Sequence, residues 1–220
     1  MTLPTPQAIL FDLDGTLADT APDLAGAVNQ LRISRGLAPT DYELLRPVAS
    51  AGARGLIGAA FGITPQDASY TELRDEFLQN YEAAIAVNSR LFDGVTELLS
   101  GLQEKGIAWG IVTNKIAHLT DQLVPKIGLQ HAACVISGDT TAHPKPHPAS
   151  LHEAAKRINV QAEHCWYVGD DLRDIQAGQA AGMTTIAAAW GYCGDAAPAT
   201  WKADFLVETP QQLLALLNQH

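Results

Sequence analysis

The stretch Ala8-Ile9-Leu10-Phe11-Asp12-Leu13-Asp14-Gly15-Thr16-Leu17 decides the fold. An apolar run ends in two carboxylates one residue apart, followed at once by Gly-Thr. A short apolar run bounded by turn residues reads as a strand buried on both faces, the signature of a parallel sheet covered by helices. In such a sheet the carboxyl ends of the strands form the edge where ligands bind. Asp12 and Asp14 stand at that end. If the backbone stays extended, both side chains point the same way. A turn at Gly15 instead sends Asp14 elsewhere and brings its carbonyl close to whatever Asp12 holds. In either geometry two acids beside a buried strand need a counter-charge, and a metal ion supplies one directly.

Downstream of this stretch the pattern changes twice. Helical patterns cover Asp19 to Gly36, Tyr42 to Leu45, Ala53 to Phe61 and Tyr70 to Ile85, with Asp19 or Thr20 as the cap of the first. No strand is expected between Leu17 and about Asn88. From Leu91 onward helices alternate with strands: Ile107 to Val112, Cys134 to Ser137, Trp166 to Val168, Thr184 to Ala188 and Phe205 to Val207. Alternation of this kind predicts an α/β fold, a Rossmann-like parallel sheet with helices on both faces. An α-helical bundle is inserted after its first strand. The expected division is a core of residues 1–16 and 89–220 and an inserted helical cap of residues 17–88, with Gly15-Thr16-Leu17 as the hinge between them.

Composition narrows the function. The chain of 220 residues is 47% hydrophobic and 17% charged, with a formal net charge of -10. That charge argues against nucleic acid or an anionic membrane as partner. An anionic substrate must be drawn in by a local positive site. Three widely spaced cysteines, Cys134, Cys165 and Cys193, form no disulfide framework and fit a reducing, cytoplasmic setting. No leader is evident over Met1 to Pro6 and no apolar run is long enough to span a bilayer. The expected partner is a small phosphorylated metabolite, and the chain is expected to be a monomer or homodimer.

Four polar clusters follow predicted buried strands: Asp12 and Asp14; Thr113-Asn114-Lys115; the loop from Gly138-Asp139 to His143-Pro144-Lys145-Pro146; and Gly169-Asp170-Asp171-Leu172-Arg173-Asp174. A parallel sheet brings all four to one edge. Asp12, Asp14, Asp170 and Asp174 are hard oxygen donors with no His or Cys among them, which suits Mg²⁺. Lys145, the Thr113 hydroxyl and backbone N–H groups from Leu13 to Gly15 suit a phosphate. A carboxylate can attack phosphorus when a metal and a lysine screen the charge, and a second acid can move the protons. Asn114 has the alternative of capping the helix at Ala117. His143 and His147 are read as loop residues and not as a zinc pair. Arg54, at a helix start in the inserted segment, is either an exposed arginine or the reader of a substrate carboxylate. Trp190-Gly191-Tyr192 is placed at the pocket mouth.

Asp12-Leu13-Asp14-Gly15-Thr16, Thr113, Lys145 and Gly169-Asp170 through Asp174 resemble, in order and spacing, the four motifs of the haloacid dehalogenase superfamily. The helical insert resembles the cap of its phosphoglycolate-phosphatase-like group. The resemblance implies a Mg²⁺-dependent phosphoric monoester hydrolase working through an aspartyl-phosphate. Asp12 would be nucleophile and metal ligand. Asp14 would be acid/base and give the metal a carbonyl. Asp170 would be the third ligand, and Asp174 would support the metal through water or Lys145. Thr113, Asn114 and Lys145 would hold the phosphoryl group. Ser50-Ala51-Gly52-Ala53-Arg54 and Leu91-Phe92-Asp93-Gly94 are similar to N-acetylmuramic acid 6-phosphate phosphatases of peptidoglycan recycling, a branch of carbohydrate metabolism grouped with 2-phosphoglycolate phosphatases. A β-phosphoglucomutase-like transfer to a sugar shares these motifs. A metal-free dehalogenase shares the fold but would lack Asp14. A phospho-accepting signalling module shares the chemistry, but its acid pair precedes the acceptor and no cap follows.

Overall fold

A computed structural model describes residues 5–194 and 196–218. The segment read above as carrying no leader begins in residues 1–4, outside the described residues. In chain order the elements are β1 (Ala8–Phe11), β2 (Ala18–Asp19), α1 (Ala21–Ser34), α2 (Tyr42–Leu45), a 3-10 turn over Arg46–Ala51, α3 (Gly52–Phe61), α4 (Tyr70–Ala83) and β3 (Arg90–Leu91). There follow α5 (Val95–Glu104), β4 (Ala108–Val112), α6 (Ala117–Lys126), β5 (Val135–Ile136), α7 (Ala149–Arg157), β6 (Cys165–Gly169), α8 (Leu172–Ala180), β7 (Thr184–Ala188), β8 (Phe205–Val207) and α9 (Pro210–Leu217).

Six strands form one parallel sheet in the order β5-β4-β1-β6-β7-β8. The sequence places β1 in the middle because all four of its residues are buried apolar groups. Its alternation sorts the two helical layers. Ile9 and Phe11 face the cluster containing Leu98, Leu102, Leu123 and Leu213 of α5, α6 and α9. Ala8 and Leu10 face Leu151, Ala154 and Ala177 of α7 and α8. Phe11 is level with Ile111 of β4 and Val168 of β6. The residues that follow all three strands therefore meet at one edge.

The chain between β2 and β3 is helical, as its periodicity predicts. The expectation of no strand between Leu17 and Asn88 is corrected at its start. Ala18 and Asp19 pair antiparallel with Leu91 and Arg90, and α1 begins at Ala21. Two-residue strands carry no readable period, and Pro22 in the first turn of α1 marks the true helix start. The buried Asp23 carboxylate accepts hydrogen bonds from the Asn88 and Ser89 N–H groups at 2.8–3.0 Å, fastening the exit of the helical segment to its first helix. No described helix is long and apolar enough to cross a membrane. The three cysteines are free.

Leu10 is fully buried between β4, β6 and the α7–α8 layer. Leu10→Ala should lower unfolding free energy by about 2–5 kcal/mol, the usual cost of a core cavity, as read from urea denaturation midpoints. A loss under about 1 kcal/mol would show that this strand is not the packed centre.

Candidate active site

The backbone turns immediately after β1. The Leu17 and Ala18 N–H groups both donate to the Leu13 carbonyl, and the Gly15 N–H donates to the Ala18 carbonyl at 2.9 Å. Of the two geometries open to the acid pair, the structure takes the turn. The Asp12 side chain stays at the sheet edge. The Asp14 carboxylate leaves it, accepting from the Thr20 hydroxyl at 2.5 Å and pairing with the Lys115 ammonium at 3.1 Å. The turn also corrects one expectation: the Gly15 N–H is engaged with Ala18 and is not free to donate to a phosphate. Gly15 serves by its missing side chain. Its φ is +93°, and a Cβ there would lie 2.1 Å from Asp170 Oδ2.

Asp12, Asp170 and Asp174 are buried, and one carboxylate oxygen from each lies within 4.8 Å of the others. Asp170 Oδ1 accepts from Thr16 Oγ1 (2.8 Å), and Oδ2 accepts from the Tyr192 N–H (3.0 Å) and the Ser50 hydroxyl (3.0 Å). The Ser50 hydroxyl is also 3.4 Å from the Asp14 carbonyl oxygen. That carbonyl and the Asp170 carboxylate therefore approach a common point. Asp174 has both oxygens engaged. Oδ2 accepts from the Asp171 N–H in a capping box at the start of α8, and Oδ1 accepts from Lys145.

The Lys145 ammonium ties the cluster together. It lies 2.8 Å from Asp12 Oδ1, 2.7 Å from Asp174 Oδ1, 2.9 Å from the Val112 carbonyl and 2.8 Å from the Tyr167 hydroxyl. The Asn114 side-chain amide holds the Lys145 backbone from both sides, donating to its carbonyl (3.0 Å) and accepting from its N–H (2.9 Å). Asn114 does not cap α6, whose cap position is Ile116. Thr113 is buried and lines the same cavity as Asp12. His143 and His147 are loop residues outside the acid cluster.

Charge is unbalanced here. Burial pushes the Asp12 carboxyl up to about 7, with Asp174 adding to the effect and Lys145 opposing it. Burial, with Asp12 and Asp174 as neighbours, also pushes Asp170 well above the ordinary carboxylate value. Burial disfavours the Lys145 charge, but Asp12 and Asp174 outweigh it and hold the ammonium above its usual value. Of the three buried carboxylates two are bonded to one ammonium and the third, Asp170, to none, so the donor set fits a hard divalent cation.

A cavity of about 300 Å³ opens over this edge. Its floor is Asp12, Asp14, Thr113 and Lys145. Its opposite wall comes from the helical segment: Ser50 to Arg54 at the start of α3, and Tyr70, Phe77, Leu78 and Tyr81 of α4. Arg54 lines the cavity and is exposed. Besides the Ser50 hydroxyl on Asp170, two further contacts join wall to floor. Arg173 donates to the Ser50 carbonyl at 2.9 Å, and Lys115 bonds the Tyr81 hydroxyl at 3.1 Å.

Sequence reasoning placed Lys115 in the second cluster without a role, and missed Tyr167 and the anchoring roles of Ser50 and Arg173. Lys115 is almost fully buried; burial opposes its charge, and Asp14 and Tyr81 raise its pKa nonetheless. Its signal was position, directly after Thr113-Asn114 at a strand end. Tyr167 read as a strand core residue, and only the fold shows its hydroxyl reaching Lys145. Tyr192, expected at the pocket mouth, is instead buried behind Asp170.

Comparison with known proteins bears on this geometry. Residues 9–188 match the family model described as haloacid dehalogenase-like hydrolase. The chain is 50% identical to a phosphoglycolate phosphatase of Xanthomonas campestris pv. campestris, over 94% of this chain and 95% of that one. It is 37% identical to an N-acetylmuramic acid 6-phosphate phosphatase of Pseudomonas aeruginosa, over 97% and 95%. Its fold is similar to the crystal structure of a predicted phosphoglycolate phosphatase from Haemophilus somnus, with a TM-score of 0.84, 23% identity, and coverage of 97% and 99%.

The raised Asp12 and Asp170 carboxyls set a pH dependence. An acid with a raised native pKa holds its proton in the folded chain after the unfolded chain has lost it, so its stabilisation disappears as pH rises. For Asp12 that window runs from about 3.8 to about 7, and Asp170 acts in the same direction. Asp171 is lowered: burial raises it, but its bonds to Arg173 outweigh that, and its own effect falls below the ordinary carboxylate value. Urea denaturation in a metal chelator should therefore show stability falling from pH 5 to pH 8 by about 1–3 kcal/mol, with Mg²⁺ restoring it at the upper end. A curve that is flat, or that rises over this range, would contradict the charge imbalance.

Proposed function

The chain belongs to the haloacid dehalogenase-like hydrolases, and within that family we propose a Mg²⁺-dependent phosphatase that hydrolyses a small phosphomonoester through a phosphorylated Asp12. One observation carries the reading. A buried ammonium, Lys145, joins Asp12 to Asp174 at the floor of a cavity whose far wall is the helical segment. Residues 17–88 act as a cap over a core formed by residues 1–16 and 89–220.

In this reading Asp12, the Asp14 carbonyl and Asp170 hold Mg²⁺, with Asp174 supporting through Lys145. When bound, the ion screens the charge between the Asp12 carboxylate and the phosphate and draws electron density from the phosphoryl oxygens. Asp12 Oδ1 is engaged by Lys145, and the other oxygen is the nucleophile. It bonds to phosphorus as the P–O ester bond breaks, and Asp14 gives its proton to the departing oxygen. Asp14, now a base, takes a proton from water. That water attacks phosphorus, releases phosphate and restores Asp12. Thr113 through its hydroxyl and Asn114 through its backbone hold the phosphoryl oxygens, because the Asn114 side chain already braces Lys145. Closure of the cap keeps bulk water from the phosphoryl group during the first transfer.

Two substrates are suggested by the relatives, 2-phosphoglycolate and N-acetylmuramic acid 6-phosphate. The cavity favours the second. Its apolar wall of Leu24, Tyr70, Phe77, Leu78 and Leu119 has nothing to bury in a two-carbon acid. A sugar ring bearing an acetyl and a lactyl group matches it, with Arg54 as partner for the lactyl carboxylate.

Phosphate release from both esters and from hexose phosphates, with Mg²⁺, tests the proposal. Turnover should be fastest on N-acetylmuramic acid 6-phosphate. Asp12→Asn should abolish it while the protein keeps its fold, and residual turnover there would remove Asp12 as nucleophile. A phosphoryl group returned to a sugar without free phosphate would indicate a mutase. Arg54→Ala should raise KM for the muramic ester about tenfold with kcat little changed, the size of one charged hydrogen bond. An unchanged KM would detach Arg54 from the substrate.

A further inference from the structure

Helix α1 begins in an unusual way. Thr20 occupies its cap position, but the Thr20 side chain makes no bond to the helix. A cap threonine ordinarily turns its oxygen to the amides of the first turn. Here the hydroxyl points elsewhere and donates to Asp14 Oδ1 at 2.5 Å. The work of the cap falls to Tyr192, on the loop after β7. Its phenol oxygen accepts from the N–H groups of Thr20 (2.7 Å) and Ala21 (2.8 Å). Its proton goes to Asp19 Oδ1 at 3.1 Å, which uses the full capacity of a phenol.

Tyr192 is itself held from several sides. Its N–H donates to Asp170 Oδ2 at 3.0 Å. Its ring lies 6.2 Å from that of Phe92 and under the Arg46 guanidinium, 5.0 Å from the centroid. Arg46 also pairs with Asp19 at 2.8 Å. The two hydroxyls of Thr20 and Tyr192 are 3.5 Å apart. The Tyr192 phenol therefore fixes the backbone that carries the Thr20 hydroxyl.

We infer that Tyr192 is a positioning residue for proton transfer: by holding the Thr20 and Ala21 N–H groups, it aims the Thr20 hydroxyl at Asp14. The inference rests on Asp14 as the acid/base of the proposed reaction. Asp14 is held by two groups, Thr20 and Lys115. Without the Tyr192 hydroxyl, the buried amides of Thr20 and Ala21 need a new acceptor. The start of α1 shifts to find one, the Thr20 hydroxyl it carries moves off Asp14, and Asp14 keeps only Lys115. The Asp170 contact is made by the Tyr192 backbone, so it survives loss of the phenol hydroxyl.

The test is a steady-state double-mutant cycle with Mg²⁺ and the best phosphate ester as substrate. Tyr192→Phe should lower kcat roughly tenfold, one hydrogen bond to a charged group. KM should stay within about twofold. Thr20→Val should show a similar loss, and the double variant should be no worse than Thr20→Val alone. Losses that multiply, or a Tyr192→Phe kcat within about twofold of wild type, would overturn the inference. Thermal melting of each variant checks folding. Asp14→Asn separates the two ideas: turnover retained there removes the acid/base role itself. Turnover lost there, with Tyr192→Phe unaffected, removes only the role of Tyr192.

Discussion

The structure depends on one buried ammonium. Lys145 joins the ends of three strands, taking Asp12 after β1, the Val112 carbonyl of β4 and the Tyr167 hydroxyl of β6. It also reaches Asp174 on α8. An unpaired charge at this depth would be costly, so each partner must lie where it does. The supporting parts follow from that demand. Asn114 fixes the Lys145 backbone, the capping box fixes Asp174, and Gly15 lets Asp170 press against the turn. One positive charge cannot balance three carboxylates, and that shortfall is what the proposed cation would make good.

Much of this was legible in the sequence because buried strands advertise themselves. The run Ala8 to Phe11 has a single reasonable structure, and its position before two acids locates the edge. Four clusters after four strands must converge once the sheet is parallel, so Asp12, Asp170, Lys145 and Thr113 were recognisable without coordinates. What was not legible depends on side-chain direction. Nothing in Asp-Leu-Asp-Gly distinguishes an extended strand from a turn, and only the turn explains why Asp14 pairs with Lys115 and Thr20. Tyr167 and Tyr192 look like ordinary apolar positions, since their value lies in a hydroxyl whose partner is distant in sequence. Strands of two residues, β2 and β3, have no period at all.

The two sides of the cavity differ in kind. The floor is polar and positioned by backbone ends that cannot shift without disturbing the sheet. The wall is apolar and carried by helices that contact the floor through few polar groups, among them Ser50, Arg173, Tyr81 and Lys115. In the proposed reaction this division would let one chemistry serve different esters, the floor meeting the phosphoryl group and the wall meeting what is attached to it.

The paired strands β2 and β3 also set how the wall can move. Outgoing and returning chains cross between the two units side by side, with Ala18 against Leu91, Asp19 against Arg90, and the Phe92 N–H on the Leu17 carbonyl. A ribbon of two hydrogen-bonded strands bends readily out of its plane. It resists twisting and lengthwise sliding, because either would break the rungs between the strands. The helical unit therefore has, mechanically, one soft degree of freedom in place of the many that two independent linkers would allow. In the proposed closure each return would land in the same register, and the wall would meet the floor without a search over orientations.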